Sequence, residues 1–179
     1  TLRYPLANSG HGAVQHTLER VHALAMPRTF IEPHDTVEKV GKIFLANHHL
    51  QAVPVVQQKV PVGMIYRYQV MDIFLSPYGR DLHGKKSITR FMDSNPLVVE
   101  YDLPVEIVSQ YLTQKMQLPA VQEFIITKHG YYEGMGTVLE LLKKITDLQI
   151  QAYNHALAQQ VQQLEQRTVE LAMATMTAQ

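Results

Sequence analysis

The chain has no cysteine, which excludes a disulfide framework, thiol catalysis and thiolate metal ligation. It also lacks net charge. Its 16 basic residues balance 16 acidic ones, so nothing advertises a nucleic-acid or anionic-membrane partner. No apolar run approaches the roughly 18 residues of a membrane span. No signal-peptide pattern follows Thr1, and the expectation is a cytoplasmic piece of a longer chain. Residues 138–179 contain neither Gly nor Pro. What is present is 46% hydrophobic content in 179 residues, enough for one compact domain with an extension.

Residues 1–10 carry Pro5, Asn8, Ser9 and Gly10 and read as an irregular lead-in. Over 13–26, Val14, Leu18, Val21, Leu24 and Ala25 recur at helical spacing, and Pro27 ends the pattern. His11, His16 and His22 do not make a metal site there. His11 and His16 lie about 140° apart around a 3.6-residue helix, with no carboxylate at ligand spacing.

An internal repeat then sets the architecture. Residues 29–40 align without gaps on 97–108: Glu32 matches Glu100, Val37 matches Val105, Glu38 matches Glu106 and Val40 matches Val108. Each copy opens with a short β-prone stretch, then a turn and an amphipathic helix. Two strands follow, 53–57 with 60–65 and 124–127 with 131–135, joined by turns at Gln58-Lys59 and His129-Gly130. A second helix closes each copy. The expected fold is α/β (α+β), with the unit β-α-β-β-α occurring twice and packed in pseudo-twofold fashion, so that each copy covers the other's open face. Between the copies, 76–86 reads as a loop and 87–93 as a short helical stretch. Gly84-Lys85-Lys86 reads as solvated linker rather than a phosphate contact, because no Gly-rich loop follows a strand there. The organisation is a lead-in and helix over 1–26, repeat 1 with its linker over 27–86, repeat 2 over 87–146 and a C-terminal helix or coil over 147–179.

In that tail, Ile150, Asn154, Leu157, Val161, Leu164, Thr168, Leu171 and Thr175 step alternately by four and three. This is an a/d seam with Leu at d and Val, Thr or Asn at a, which favours a parallel two-stranded coil and therefore a homodimer. A helix folded back on its own domain is the alternative.

The stretch from Gly134 to Leu142 joins the last strand to the tail. Thr137 followed by Glu140 is the spacing of a capping box, in which each side chain satisfies one orphan backbone N–H. The same hydroxyl and carboxylate at a helix N-terminus suit a nucleotide, the carboxylate on ribose hydroxyls and the hydroxyl near phosphate. Both readings stand on sequence alone. Lys128 and His129 in the second hairpin turn, and Arg67 after the equivalent strand of repeat 1, are the cations expected to balance phosphate. Residues 97–99 and 118–121, Val121 among them, supply an apolar bed, and Gly134 and Gly136 allow close approach to backbone. No Ser, His and acid form a recognisable nucleophile elbow, His48-His49 point about 100° apart on a helix, and repeat symmetry explains Glu32 and Glu100 as turn or cap residues. An enzyme is not expected.

The duplicated pattern over about residues 20–145, with Gly134-Met-Gly-Thr137-x-x-Glu140, resembles a pair of cystathionine-β-synthase-type (CBS) domains, a Bateman module. That family carries Gly-h-x-Thr/Ser-x-x-Asp/Glu at this place. The runs beginning at Tyr78 and Gly134 also resemble bacterial members joined to GGDEF-type outputs, and Gln163 to Leu171 is similar to linker helices before histidine-kinase cores. No GGDEF-type or kinase motif lies within these residues. The resemblance implies a sensory module that binds an adenine nucleotide (ATP, ADP or AMP) or S-adenosylmethionine between the repeats. Thr137 would face phosphate or ribose, and Glu140 would accept from ribose. Repeat 1 departs from the pattern, with Tyr66 and Gln69 at the matching positions, so one competent site per pair is expected. The alternative is a ligand-free pair serving as a dimerisation scaffold.

Overall fold

The computed structural model describes residues 19–115 and 123–177. They form two compact units, one ending at Leu141 and the other beginning at Leu142. The expected N-terminal helix is present among the described residues as the 3-10 turn Val21–Leu24; residues 13–18 of that element lie outside them.

Repeat 1 contains α1 (Val37–Ala46), β1 (Ala52–Gln57), β2 (Val60–Tyr66) and α2 (Arg67–Leu75). A short helix, α3 (Gly79–His83), and the 3-10 turn Ile88–Arg90 lead to repeat 2. Repeat 2 contains β3 (Val98–Glu100), α4 (Val105–Lys115), β4 (Glu123–Lys128), β5 (Tyr131–Thr137) and α5 (Val138–Thr177). The duplication extends to detail. Both hairpins close on two-residue turns, and both carry a register shift at the equivalent step, Val55/Val56 and Ile126/Thr127. The parallel strand that opens repeat 2 pairs β3 with β4, whereas in repeat 1 it is reduced to the single bridge Ile31 to Val55.

Helix α1 forms because Val37, Val40, Gly41 and Phe44 fall on one face and are buried. The Thr36 hydroxyl accepts the Lys39 N–H at 3.3 Å. Two further orphan donors at this end, the N–H groups of Val37 and Glu38, are taken by the carbonyls of Lys86 and Gly84. Gly84-Lys85-Lys86 is therefore a cap for α1. The loop expected over 76–86 contains α3, which starts after Tyr78 in left-handed conformation and is stitched by Leu82 N–H to Tyr78 C=O.

The residues ahead of each repeat belong structurally to the other one. Met26, ahead of repeat 1, exchanges both backbone hydrogen bonds with Met135 of β5 (2.8 and 2.9 Å). Asp93, ahead of β3 in repeat 2, does the same with Met64 of β2 (2.8 and 2.9 Å). Arg20 likewise bridges Pro104, and Ser87 bridges Thr36. Each sheet thus ends on an edge supplied by the opposite lead-in, which leaves fewer unpaired strand groups in water. Repeat 1 has its own core around Val40, Phe44, Val53, Ile65 and Ile88. A second cluster of Ala52, Met64, Tyr66, Ile125 and Met135 joins the repeats.

Candidate functional site

Strand β5 passes directly into α5 at Thr137, which lies opposite Glu123 at the start of β4. The Thr137 hydroxyl accepts the Glu140 N–H at 3.1 Å, so one half of the capping box is formed. Both side chains are half-buried. Opposite them, Glu123 is almost wholly buried, and the Arg28 guanidinium donates to its Oε1 at 2.7 Å. Its Oε2 is buried with no close hydrogen-bond partner, and the Ala52 backbone gives the carboxyl only a weak polar contact. Burial pushes the Glu123 carboxyl above the usual glutamate range, and the charge and hydrogen bond of Arg28 only partly offset this. The Arg28 carbonyl accepts the Tyr132 hydroxyl at 3.0 Å, fixing the backbone that carries the guanidinium. A half-buried hydroxyl and a half-buried carboxylate thus stand at the head of a long helix, and across the hairpin Glu123 anchors a guanidinium that has further N–H donors.

Sequence reasoning missed Arg28. Its partner lies 95 residues away, and no local period marks it. The available signal was a cation just ahead of repeat 1, whose lead-in is exchanged onto β5.

The cations that were expected serve elsewhere. Arg67 donates from Nε to the Leu50 carbonyl (2.8 Å) and from Nη2 to the carbonyls of Phe44 (2.9 Å) and Asn47, and it lies over the Phe44 ring. It caps the C-terminal end of α1. Lys128 ends β4 five residues from Glu123, which is about 17 Å at about 3.4 Å per residue, and His129 follows it in the turn. Lys128 lies over the Tyr101 ring, and the His129 N–H donates to the Glu100 carboxylate. The structure does not bring either to Thr137. The glycines also have a different purpose. A Cβ on Gly134 would stand 2.9 Å from the Met26 carbonyl oxygen, and one on Gly136 would stand 2.4 Å from the Phe124 ring. Close approach is required there by the exchanged edge and by the core. Val121 lies outside the described residues.

At the equivalent place in repeat 1 the Tyr66 N–H donates to Gln69 Oε1 at 2.9 Å. The Tyr66 ring is buried in the cluster between the repeats and stacks on Tyr68, and its hydroxyl has no partner. Burial first, and then the nearby carboxylates, hold that phenol well above its usual range. The side chain fills the space a small hydroxyl residue would leave open. Among the described residues, no group of three His, Asp or Glu side chains gathers in a way that could hold a metal ion. None of their helices is long and apolar enough to cross a membrane.

Residues 22–76, the first repeat and its approach, match the family model of the CBS domain. The structure of CBSX2 from Arabidopsis thaliana in complex with AMP superposes with a TM-score of 0.57 at 15% identity, covering 73% of this chain and 98% of that one. The fold is that of a CBS-domain pair. A CBS domain-containing protein from Bacillus anthracis gives a TM-score of 0.61 at 15% identity over 72% of this chain and 94% of its own. The CBS domain of a bacterial CNNM/CorC family Mg2+ transporter, solved with ATP, gives 0.56 at 20% identity over 71% of this chain and 87% of its own. No curated protein matches the sequence.

Proposed function

We propose that this CBS pair is a regulatory module that binds one adenine nucleotide or adenosyl ligand at the head of α5 and passes the change along that helix. The reading rests on Thr137 and Glu140 in the first turn of α5 and on Arg28, which is held by Glu123 directly across the hairpin from Thr137, since a helix N-terminus with a fixed cation suits phosphate and a carboxylate suits ribose hydroxyls. Similarity to CBS proteins solved with AMP and with ATP supports an adenine ligand. ATP, ADP, AMP and S-adenosylmethionine are the candidates. Repeat 1 contributes no second site, because Tyr66 occupies that position and Gln69 is committed to the Tyr66 N–H. No catalytic role is proposed.

Helix α5 continues unbroken to Thr177. Its seam residues Ile150, Leu157, Val161, Leu164 and Leu171 are 46–68% exposed, which leaves an apolar stripe in water. The Thr168 and Thr175 hydroxyls return to the carbonyls of Leu164 and Leu171, so these polar a positions are already satisfied. Pairing with a second copy in a parallel coil covers the stripe and makes a cytoplasmic homodimer. The same helix would lead to an output domain in the parent chain, in cyclic-di-GMP or two-component signalling. A coupling of about 1–3 kcal/mol between ligand and output suffices for such a relay.

Calorimetry with the four ligands tests the site. Binding by the native protein is expected to weaken about ten- to a hundredfold in Glu140→Ala, the loss of a charge-assisted hydrogen bond. If none of the four binds near its cellular concentration, the sensory reading fails and a ligand-free dimerisation scaffold takes its place. Sedimentation tests the coil: Leu157→Asp with Leu164→Asp should halve the mass, and an unchanged mass refutes a coil-driven dimer.

A further inference from the structure

The two hairpins have the same turn but different occupants. Gln58 and Lys59 (φ 49° and 67°) match His129 and Gly130 (φ 53° and 81°), all in the left-handed region. Successive N–H groups in such a turn converge on one point and form a concavity for an anion. In repeat 2 that point is filled. The Glu100 carboxylate accepts from the N–H groups of His129 and Gly130, the latter at 3.4 Å, and from the Thr127 hydroxyl at 2.8 Å.

The residue equivalent to Glu100 is Glu32, since Ile31 pairs with Val55 as Val99 pairs with Ile126. Glu32 does not occupy its turn. Its Oε2 lies 3.3 Å from His34 Nε2 instead, with both side chains more than half exposed. Two substitutions explain the difference. Val56 stands where Thr127 supplies a hydroxyl, and His34 offers Glu32 a competing partner. Among the described residues, no protein group accepts from the N–H groups of Gln58 or Lys59. A groove of about 330 Å³ surrounds this open turn, lined by Phe30, Val56, Tyr131 and Tyr132, with Glu32 and Lys59 at its edge. The Phe30 and Tyr132 rings meet edge to face at 5.7 Å. A pocket of this size and lining suits a small, flat ligand.

We propose that the groove binds a small organic carboxylate with a planar apolar body. Its carboxylate takes the Gln58 and Lys59 N–H groups, as Glu100 takes those of His129 and Gly130, with the Lys59 ammonium beside it. Its body lies against Phe30, Tyr131 and Tyr132. Glu32 is the built-in competitor, because its carboxylate can leave His34 and fill the same turn. This groove lies at the far end of β2 from Tyr66 and does not depend on a nucleotide at α5.

Phenylacetate titrated into the 15N-labelled full chain, with phenylacetamide as its neutral twin, provides the test. The Gln58 and Lys59 amide resonances should move saturably with phenylacetate in the millimolar range, near −4 kcal/mol, and at least tenfold more weakly with phenylacetamide. Glu32→Gln, a change at an exposed side chain, should tighten phenylacetate binding severalfold. Equal responses to both compounds, or no saturable movement of these two amides in either the native chain or Glu32→Gln, overturns the proposal.

Discussion

At the head of α2 the Tyr66 N–H is held by the Gln69 side chain, whereas at the head of α5 the Thr137 hydroxyl holds the Glu140 N–H. The contrast continues across the hairpin: Ala52 faces Tyr66, but the buried, paired Glu123 faces Thr137. At the tips, Glu100 closes the second turn and Glu32 leaves the first one open. The backbone is shared down to the register shift, so the duplicated fold evidently tolerates either chemistry. A large residue at the start of α2 extends the core between the repeats, and a small hydroxyl at the start of α5 keeps polar groups at the surface.

The largest effect on this contrast should come from Arg28→Ala. It strands the Glu123 carboxylate, only 6% exposed, without its counter-charge, and breaking such a buried pair costs about 3–5 kcal/mol. The Ala52 side of repeat 1 has nothing equivalent to lose. The loss should depend on pH. Glu123 is held above the usual glutamate value, so the folded chain keeps a proton that the unfolded chain has already released. Stability from this group is complete below the unfolded value and is lost as pH rises through the folded one. Removing Arg28 raises the folded value further, so the deficit in urea melts should be greatest at neutral pH and shrink towards pH 4.5. A deficit that stays constant across that range would mean Glu123 is not the group responsible.

Glu100→Gln against Glu32→Gln sharpens the comparison at the tips. Glu100 receives two backbone N–H groups and a hydroxyl, and charge-assisted bonds of this kind contribute about 1.5–3 kcal/mol. Glu32 has only the exposed His34, and its replacement should cost under about 0.5 kcal/mol. Equal midpoint shifts in chemical denaturation would show that Glu100 is no latch. At the exchanged edges, Gly63→Ala and Gly134→Ala should each cost about 1–3 kcal/mol, as overpacking does. An added Cβ meets the Asp93 carbonyl oxygen at 2.8 Å in one case and the Met26 carbonyl oxygen at 2.9 Å in the other. Amide exchange should open at Met64 and Met135 respectively, and protection unchanged at both would argue against this account of the glycines.

Much of the fold was legible because hairpins and amphipathic helices leave local periods. The four hairpin strands lie within two residues of their expected ends, and Thr137 does hand a strand over to a helix. The exchanged edges left no period at all. Their only trace was a glycine at the same place in each copy, Gly63 and Gly134, which is equally compatible with a ligand until Met26 and Asp93 are seen crossing there. The placement of the cations was hidden for a related reason. Lys128 and His129 are near Thr137 in sequence, but an extended strand separates neighbours by several ångströms per residue, while Arg28 is distant in sequence and adjacent in space. Helix α3 escaped notice because its five residues follow Ser76, Pro77 and Tyr78 and depend on a left-handed Tyr78 that propensity does not reveal.

The smallest predicted effect concerns Tyr66, and its sign is what distinguishes the two repeats. Its ring belongs to the core between the repeats, yet its hydroxyl is buried without a partner. A buried unsatisfied group costs about 1–3 kcal/mol relative to an apolar one of the same shape, and local relaxation recovers part of that. Tyr66→Phe should therefore be neutral or stabilising by up to about 1 kcal/mol, seen as a higher midpoint in thermal unfolding. Thr137→Ala, at the matching position, should go the other way by about 1 kcal/mol, because it removes the acceptor of the Glu140 N–H. If Tyr66→Phe destabilises instead, the phenol has a partner in solution and repeat 1 contains a polar site of its own. The closed repeat would then have to be counted beside the open one.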